Sequence, residues 1–179
     1  MELVEGVGEI EDVDRLIEQL DEIGQEHGCV VTAFDARYLT GREHLTRATS
    51  LADRAFERSE NVADARAIEV LLYVAGRRQI DRALEIGVSA GEGPIVVAIE
   101  QGNNERNGGK SGGDDREQEG AAAVERALAP DFEHGEKLGE YDEALVQDFF
   151  EISERELGAT DAGLAELVVE RVALLDVEK

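Results

Sequence analysis

The sequence predicts an α+β fold, in which a small β-sheet is covered by several helices within a single domain. Runs of β-branched and aromatic residues at Cys29–Ala36 and Pro94–Glu100 are typical of strands. Segments with apolar residues at helical spacing lie around these runs, without the regular strand and helix alternation of a doubly wound sheet. The length of 179 residues suits one domain with a substantial hydrophobic core, here residues 1–179.

The first half of the chain contains a helix, a strand and a second helix in that order. Apolar spacing predicts the first helix over Asp12–Ile23, with its first residue as the N-cap and Gly24 closing it. After the strand Cys29–Ala36, the letters TGRE indicate a capping box between Thr40 and Glu43. This box would open a helix whose apolar face carries Leu45, Ala48, Leu51, Ala52, Ala55 and Phe56.

The next helical segment is predicted over Val62–Ala75 and is interrupted by Gly76, after which apolar spacing continues to Gly87. Beyond the strand Pro94–Glu100, the stretch Gln101–Gly120 holds six glycines and no apolar residue, so a flexible surface loop is expected there. Three further helices are predicted at Ala121–Ala129, Tyr141–Phe150 and Thr160–Leu175.

The charge composition indicates the surroundings of the protein. Forty-two acids face eighteen basic residues, and the net charge is -24. Scarce lysine with many small apolar residues suggests a salt-loving, archaeon-like source, where molar salt screens charges within about 3 Å. The lone Cys29 excludes an internal disulfide, and neither a signal peptide nor an 18-residue apolar run is visible. We therefore expect a cytoplasmic protein without membrane contact.

No motif in the sequence supports catalysis, so we predict that the protein is not an enzyme and uses no cofactor. The letters GGKS at 108–111 imitate the end of a phosphate-binding loop, but Asn104 stands where that loop requires glycine. The three histidines, His27, His44 and His134, are scattered without metal spacing, so we expect them at the surface or in loops. Cys29 is expected to be a small core residue.

The arginines are concentrated in the middle of the chain. Segment 37–82 carries nine arginines against seven acids and is net +2, whereas the whole chain is net -24. Pairing with acids on helix surfaces is the expected role for most of these arginines. Arg77 and Arg78 differ, because they follow a glycine within the most apolar stretch of the chain.

Two arrangements of these arginines are open. If the helix continues through Gly76, both side chains lie against an apolar stripe. If Gly76 breaks the helix, free backbone N–H groups, the two guanidinium groups of Arg77 and Arg78, and the amide of Gln79 would converge on a point suited to phosphate. Ile80 would then add an apolar surface on which a base can lie.

A longer stretch resembles a known family. The letters NVADARAIEVLLYVAGRRQIDRALEIGV, residues 61–88, resemble the signature region of the PRPK-binding protein (TPRKB-type) family, the small non-catalytic subunit of the KEOPS complex. The preceding ARYLTGREHLTRATSLADRAFERSE and the terminal ERVALLDVEK fit the same pattern, so the resemblance covers most of the chain except the Gly-rich loop. Its most specific residues are Glu69, Leu71, Leu72, Gly76, Arg78, Gln79 and Ile80.

The resemblance implies a non-catalytic subunit of the complex that installs threonylcarbamoyl on adenosine in certain tRNAs. Proteins similar to this one bind and stimulate the small atypical kinase/ATPase subunit, and they hold the 3′ CCA end of tRNA for the carbamoyl-transferring subunit. Carried onto this sequence, the tRNA-end site would consist of Arg77, Arg78, Gln79 and Ile80, with Asn61 as a weaker candidate.

The last predicted helix has an apolar arc broader than one core-facing stripe. Either the whole arc is buried, or one face lies in the core and another contacts a protein. The resemblance implies the second arrangement, with the kinase subunit contacting Leu164, Val168, Arg171, Val172 and Leu175. Two other functions stay open: an acidic regulatory domain that binds protein but no RNA, and a small nucleotide-handling enzyme that uses the loop around Lys110.

Overall fold

A computed structural model of the chain describes residues 1–102 and 113–177, and this part forms four β-strands and eight α-helices. The strands are β1 (Glu2–Ile10), β2 (Cys29–Asp35), β3 (Gly91–Gln101) and β4 (Phe132–His134). The helices are α1 (Val13–His27), α2 (Arg42–Glu57), α3 (Arg66–Val74), α4 (Ile80–Ala83), α5 (Gly113–Leu128), α6 (Glu143–Phe149), α7 (Glu154–Leu157) and α8 (Leu164–Val177). The predicted α+β class is confirmed.

The described residues divide into two compact units. The sheet unit comprises Met1–Asp35 and Val88–Lys137, and the helical unit comprises Ala36–Gly87 and Leu138–Lys179. Each unit is built from two separate stretches of the chain. The prediction of a single domain over residues 1–179 stays a prediction.

The sheet unit contains an antiparallel sheet with the strand order β2-β3-β1-β4. Alternate residues of β3, namely Ile95, Val97 and Ile99, lie in a buried cluster with Leu20 of α1 and Val124 of α5. Because successive side chains of a strand point to opposite faces, this cluster puts both helices on one face of the sheet. Each large side chain buried there contributes roughly 1.5–3 kcal/mol to folding.

Strand β1 is absent from the sequence-based prediction, and so is its short neighbour β4. Two inward positions of β1 are glycines, Gly6 and Gly8, which weakens the alternation of apolar residues that reveals a strand. Gly6 is required by close packing, because a Cβ there would lie 2.3 Å from the carbonyl oxygen of Glu133 and 2.7 Å from the Phe132 ring. The glycine therefore lets β4 pair closely with β1.

Helix α1 begins as predicted and ends later. The Asp12 side chain accepts a hydrogen bond from the Arg15 N–H and caps the helix. The predicted stop at Gly24 is wrong, since the helix continues to His27 and is closed by Gly28, which has φ +66°. Gly24 serves packing instead, because a Cβ there would lie 2.8 Å from the carbonyl oxygen of Cys29.

The prediction of a loop over Gln101–Gly120 is wrong for its C-terminal part, because α5 begins at Gly113. This acidic stretch is rich in Glu, Gln and Arg, which favour a helix. The buried Glu117 carboxylate also accepts a hydrogen bond from the Gln101 N–H at 2.9 Å, which fixes the early part of α5 against the end of β3. Lys110 and the GGKS letters lie outside the described residues.

The helical unit is organised around α2, which packs against α3 and α8. The predicted capping box is wrong. The N-cap of α2 is Gly41 with φ +146°, and no side chain within the described residues caps it. Thr40 instead donates its backbone N–H to Nδ1 of the buried His44 at 3.4 Å. Helices α3, α6 and α8 begin a few residues later than predicted, and α7 is absent from the prediction.

Candidate nucleic-acid and protein interface

The break after α3 is confirmed. Gly76 has φ +58°, a left-handed conformation that glycine adopts without strain. Its N–H donates to the Tyr73 carbonyl, and the Arg77 N–H donates to the Leu72 carbonyl, both at 3.0 Å. This pair of bonds is the Schellman motif that ends many helices. The Arg77 N–H is therefore already used and is not free for a phosphate.

The Arg77 guanidinium group holds the end of α6. Its Nη2 donates to the carbonyl oxygen of Phe149, the last residue of that helix, at 2.5 Å. The three carbonyls before it accept from the backbone N–H groups of Phe150, Ile152 and Glu151. Arg77 thus satisfies the remaining carbonyl of the last turn. Its guanidinium also lies 5.8 Å from the centre of the Phe149 ring and 3.2 Å from the Glu151 carboxylate.

Arg78 holds the end of a different helix. Its Nη2 donates to the Leu175 carbonyl oxygen at 2.9 Å. Leu175 is among the last four described residues of α8, and the carbonyls of a helix's last turn are the ones that need partners from outside the helix. A cation at a helix C-terminus is also favoured by the helix dipole. The Nε atom of Arg78 is buried and has no hydrogen-bond partner within the described residues.

The guanidinium groups of Arg77 and Arg78 therefore do not converge on one phosphate-binding point, because they contact the ends of two different helices. Gln79 is the N-cap residue of α4 and is exposed. Ile80 follows it and is 41% exposed. Leu84, four residues on and 48% exposed, was not predicted as a site residue. Its spacing from Ile80 is the signal that could have identified it, since residues four apart share one helical face.

Asn61 lies in the loop before α3. Its Nδ2 donates to the Ala63 carbonyl at 3.0 Å. The buried carboxylate of Glu69 accepts the backbone N–H groups of Val62 and Ala63 at 2.9 and 2.8 Å. Asn61 and Glu69 are therefore engaged in fixing this loop, and Asn61 has a structural role whether or not it meets a ligand.

The predicted kinase-contact residues of α8 fall into two groups. Val168 and Val172 are 0% exposed, and Leu175 is also buried. These three side chains therefore belong to the core of the helical unit and are not available to a partner. Leu164 is half-buried. Arg171 is half-buried too, and it is engaged by the Glu156 carboxylate at 2.7 and 2.9 Å.

Another side chain of α8 was missed as a contact residue. Leu174 is 44% exposed, so it is the large apolar side chain that this helix presents to solvent in the described structure. On the same helix, Val169 and Ala173 are half-buried. The contact of α8 with the kinase subunit stays a prediction. The accessible apolar residues for it are Leu174, Val169 and Ala173, whereas Val168 and Val172 are buried.

His44 lies in the interior near the α3 end, so the expectation of a surface or loop position is wrong for this histidine. Its Nε2 donates to the Val74 carbonyl at 2.8 Å, and its ring packs edge-on against Phe150 with centroids 5.7 Å apart. Burial lowers the pKa of His44 to about 4. The imidazole is therefore neutral at pH 7, with its proton on Nε2, because a carbonyl can only accept.

Cys29 is a buried free thiol of the sheet unit, as expected for a core residue. Burial raises its pKa, so the thiolate that a nucleophile requires is disfavoured. Among the described residues no group of three or more His, Cys, Asp or Glu side chains could hold a metal ion.

Residues 8–176 match the family model described as kinase binding protein CGI-121. The chain belongs to this family. The match confirms the resemblance to the PRPK-binding protein family, and it supports a kinase as partner and a regulatory role. A search of curated proteins found no match. None of the helices in the described parts of the chain has the length and apolar character needed to cross a membrane.

Proposed function

We propose that this chain is the non-catalytic regulatory subunit of a KEOPS complex, which modifies tRNA to N6-threonylcarbamoyladenosine. It binds the small kinase/ATPase subunit and the 3′ CCA end of a tRNA in the cytoplasm. Membership in a kinase-binding family supports the first partner. The observation that carries the second is an exposed apolar pair, Ile80 and Leu84, directly after Arg77 and Arg78.

Each part of a single-stranded RNA end has a counterpart in this region. Unstacked bases lie on apolar or aromatic surfaces, and Ile80 with Leu84 offers such a surface one helical turn long. The exposed amide of Gln79 can donate to a base edge or to a phosphate. A guanidinium group has five N–H donors, so Arg78 can keep its bond to Leu175 while other donors meet a phosphate.

Arg77 has a smaller part in this proposal. Its guanidinium already contacts a helix carbonyl, an aromatic face and the Glu151 carboxylate, which neutralises its charge. Replacing it would also expose the end of α6, so loss of RNA binding in such a variant would have two explanations. Gln79 and Ile80 are therefore the cleaner positions for a test, since both are exposed.

The tRNA test compares two isoleucines with the same exposure. Ile80→Glu places a carboxylate in the proposed stacking surface, whereas Ile17→Glu makes the same change in the sheet unit, and both positions are 41% exposed. We expect Ile80→Glu to weaken tRNA binding at least tenfold, because base stacking is worth about 1–3 kcal/mol per base and the new charge repels phosphates. Ile17→Glu should bind as the wild type does. Affinities are measured by filter binding at fixed salt.

Removing CCA from the tRNA should weaken binding to the wild type as much as Ile80→Glu does, and the two changes should not add. Equal binding of intact and trimmed tRNA would contradict the CCA site. A chain that binds the kinase subunit but no tRNA would instead be an acidic regulatory domain without RNA binding.

The kinase contact is tested on α8. Leu174→Glu should abolish co-purification with the kinase subunit while the melting temperature of the isolated chain stays unchanged, because Leu174 is 44% exposed. Ile17→Glu is again the matched control and should co-purify normally. Normal co-purification of Leu174→Glu would remove this face of α8 from the proposed interface.

A further inference from the structure

We infer that the last turn of α8 positions Arg78 for the RNA end, so that the two proposed contact regions are coupled. This inference rests on the proposed function. The structure joins the two regions by the hydrogen bond from Arg78 Nη2 to the Leu175 carbonyl oxygen at 2.9 Å. The preceding Gly76 also lies along α8, because a Cβ at this position would be 3.6 Å from the backbone of Arg171.

The anchor of Arg78 lies in the part of a helix that is least stable. Terminal turns fray, because their carbonyls lack partners within the helix. When the last turn of α8 frays, the Leu175 carbonyl moves away and the guanidinium group loses its fixed direction. The Nε of Arg78 offers no second anchor, since it has no hydrogen-bond partner within the described residues. The position of Arg78 therefore depends on the order of the α8 end.

This dependence gives the coupling a sign. A long arginine side chain that is already fixed loses less conformational freedom on binding a phosphate, so an ordered α8 end raises the affinity for RNA. A protein that packs on Leu174, next to the anchoring carbonyl, would order that end. By reciprocity, RNA on Arg78 would strengthen binding of the same protein by the same factor.

The experiment changes the order of α8 without touching Arg78 and needs no kinase subunit. Leu174→Gly and Leu174→Ala both remove the same exposed side chain, but glycine disfavours a helix relative to alanine, by up to about fivefold in a helix interior and by less near a helix end. In the full chain, Leu174→Gly should bind intact tRNA more weakly than Leu174→Ala, by a factor of up to about five that depends on how often the α8 end frays, and Leu174→Ala should bind within twofold of the wild type. Unchanged binding of CCA-trimmed tRNA by both variants shows that the loss concerns the RNA end.

Hydrogen exchange supplies a second readout that does not depend on RNA. Arg78→Met removes the guanidinium group, so amides in the last turn of α8 should exchange at least twofold faster, whereas those of α1 should not change. Unaltered exchange in Arg78→Met, or equal tRNA affinity of Leu174→Gly and Leu174→Ala, would overturn the inference and leave the proposed function intact. A wild type that does not distinguish intact from trimmed tRNA would overturn both.

Discussion

Acidification should destabilise the protein through the buried His44. Its pKa is about 4 in the folded chain, against about 6.5 in an unfolded one. Between these values the unfolded state binds more protons, so stability is present above pH 6.5 and is lost as the pH falls towards 4. The complete loss is on the order of 3 kcal/mol, of which about 2 kcal/mol is lost by pH 5. A protonated ring would also present an N–H to the Thr40 N–H that Nδ1 accepts in the neutral form.

The assay is urea unfolding at pH 7 and pH 5 in the same molar salt. His44→Gln keeps a donor for the Val74 carbonyl and cannot be protonated, so it should lose about 2 kcal/mol less than the wild type between the two pH values. Contributions from the many carboxylates are common to both proteins and cancel in the comparison. His134→Gln, at an exposed histidine, is the control and should follow the wild type. Equal pH dependence of His44→Gln and wild type would refute a buried neutral His44.

Three further outcomes are expected. Ser59 has φ +57° at the end of α2, so Ser59→Gly should stabilise the chain by about 0.5–1 kcal/mol in urea unfolding. Ser50→Gly, within that helix, should instead destabilise the chain by about 0.5 kcal/mol. Effects of the same sign in both variants would contradict the left-handed conformation of Ser59. Val168→Glu should unfold the chain, as measured by circular dichroism, because the substitution would put a carboxylate into the core. A folded Val168→Glu variant would contradict the burial of this position. The melting temperature should rise between dilute buffer and molar salt, since screening relieves repulsion in a chain of net charge -24; an unchanged value would contradict this.

The fold class was predictable because two strands and most helices have a clear pattern of apolar residues. Strand β3 reads as a continuous apolar run, and α2 repeats apolar residues every three or four positions. Strand β1 was not predictable in the same way, because glycines interrupt the apolar pattern of its inner face, and at Gly6 the close approach of β4 leaves no room for a side chain. The register of that approach is a tertiary property. A local pattern of hydrophobicity does not contain it.

Helix ends show the same limit. The letters TGRE fit a capping box, yet buried His44 takes the Thr40 N–H and the side-chain cap does not form. Gly24 and Gly28 are both reasonable helix stops by residue type, and only the packing of Gly24 against β2 distinguishes them. Tertiary contacts decide between local signals of similar strength.

The tRNA-end site stays a prediction, and residue types alone left its local geometry open. They allowed both a continuous helix and a break at Gly76, and the structure shows the break, with Ile80 exposed. The carbonyls that Arg77 and Arg78 meet belong to residues 149 and 175, which are distant in sequence and carry no donor signal of their own. Every helix leaves such carbonyls at its end, so their need for donors can be anticipated, but the donor that meets them cannot.

An arginine at position 78 suits both the observed contact with a helix end and the proposed contact with RNA. In a chain with 42 acids, an unanchored cation on the surface would be drawn to neighbouring carboxylates. The Leu175 carbonyl holds the guanidinium group in place and leaves its charge intact, whereas a carboxylate would neutralise that charge. A guanidinium group can donate to this carbonyl and still present donors to a phosphate, because its N–H groups form a planar fork. A lysine would keep the charge but concentrate it on one ammonium group without that fork. Arg78 can therefore serve the fold and a polyanion at the same time, whereas Arg77, paired with Glu151, serves chiefly the fold.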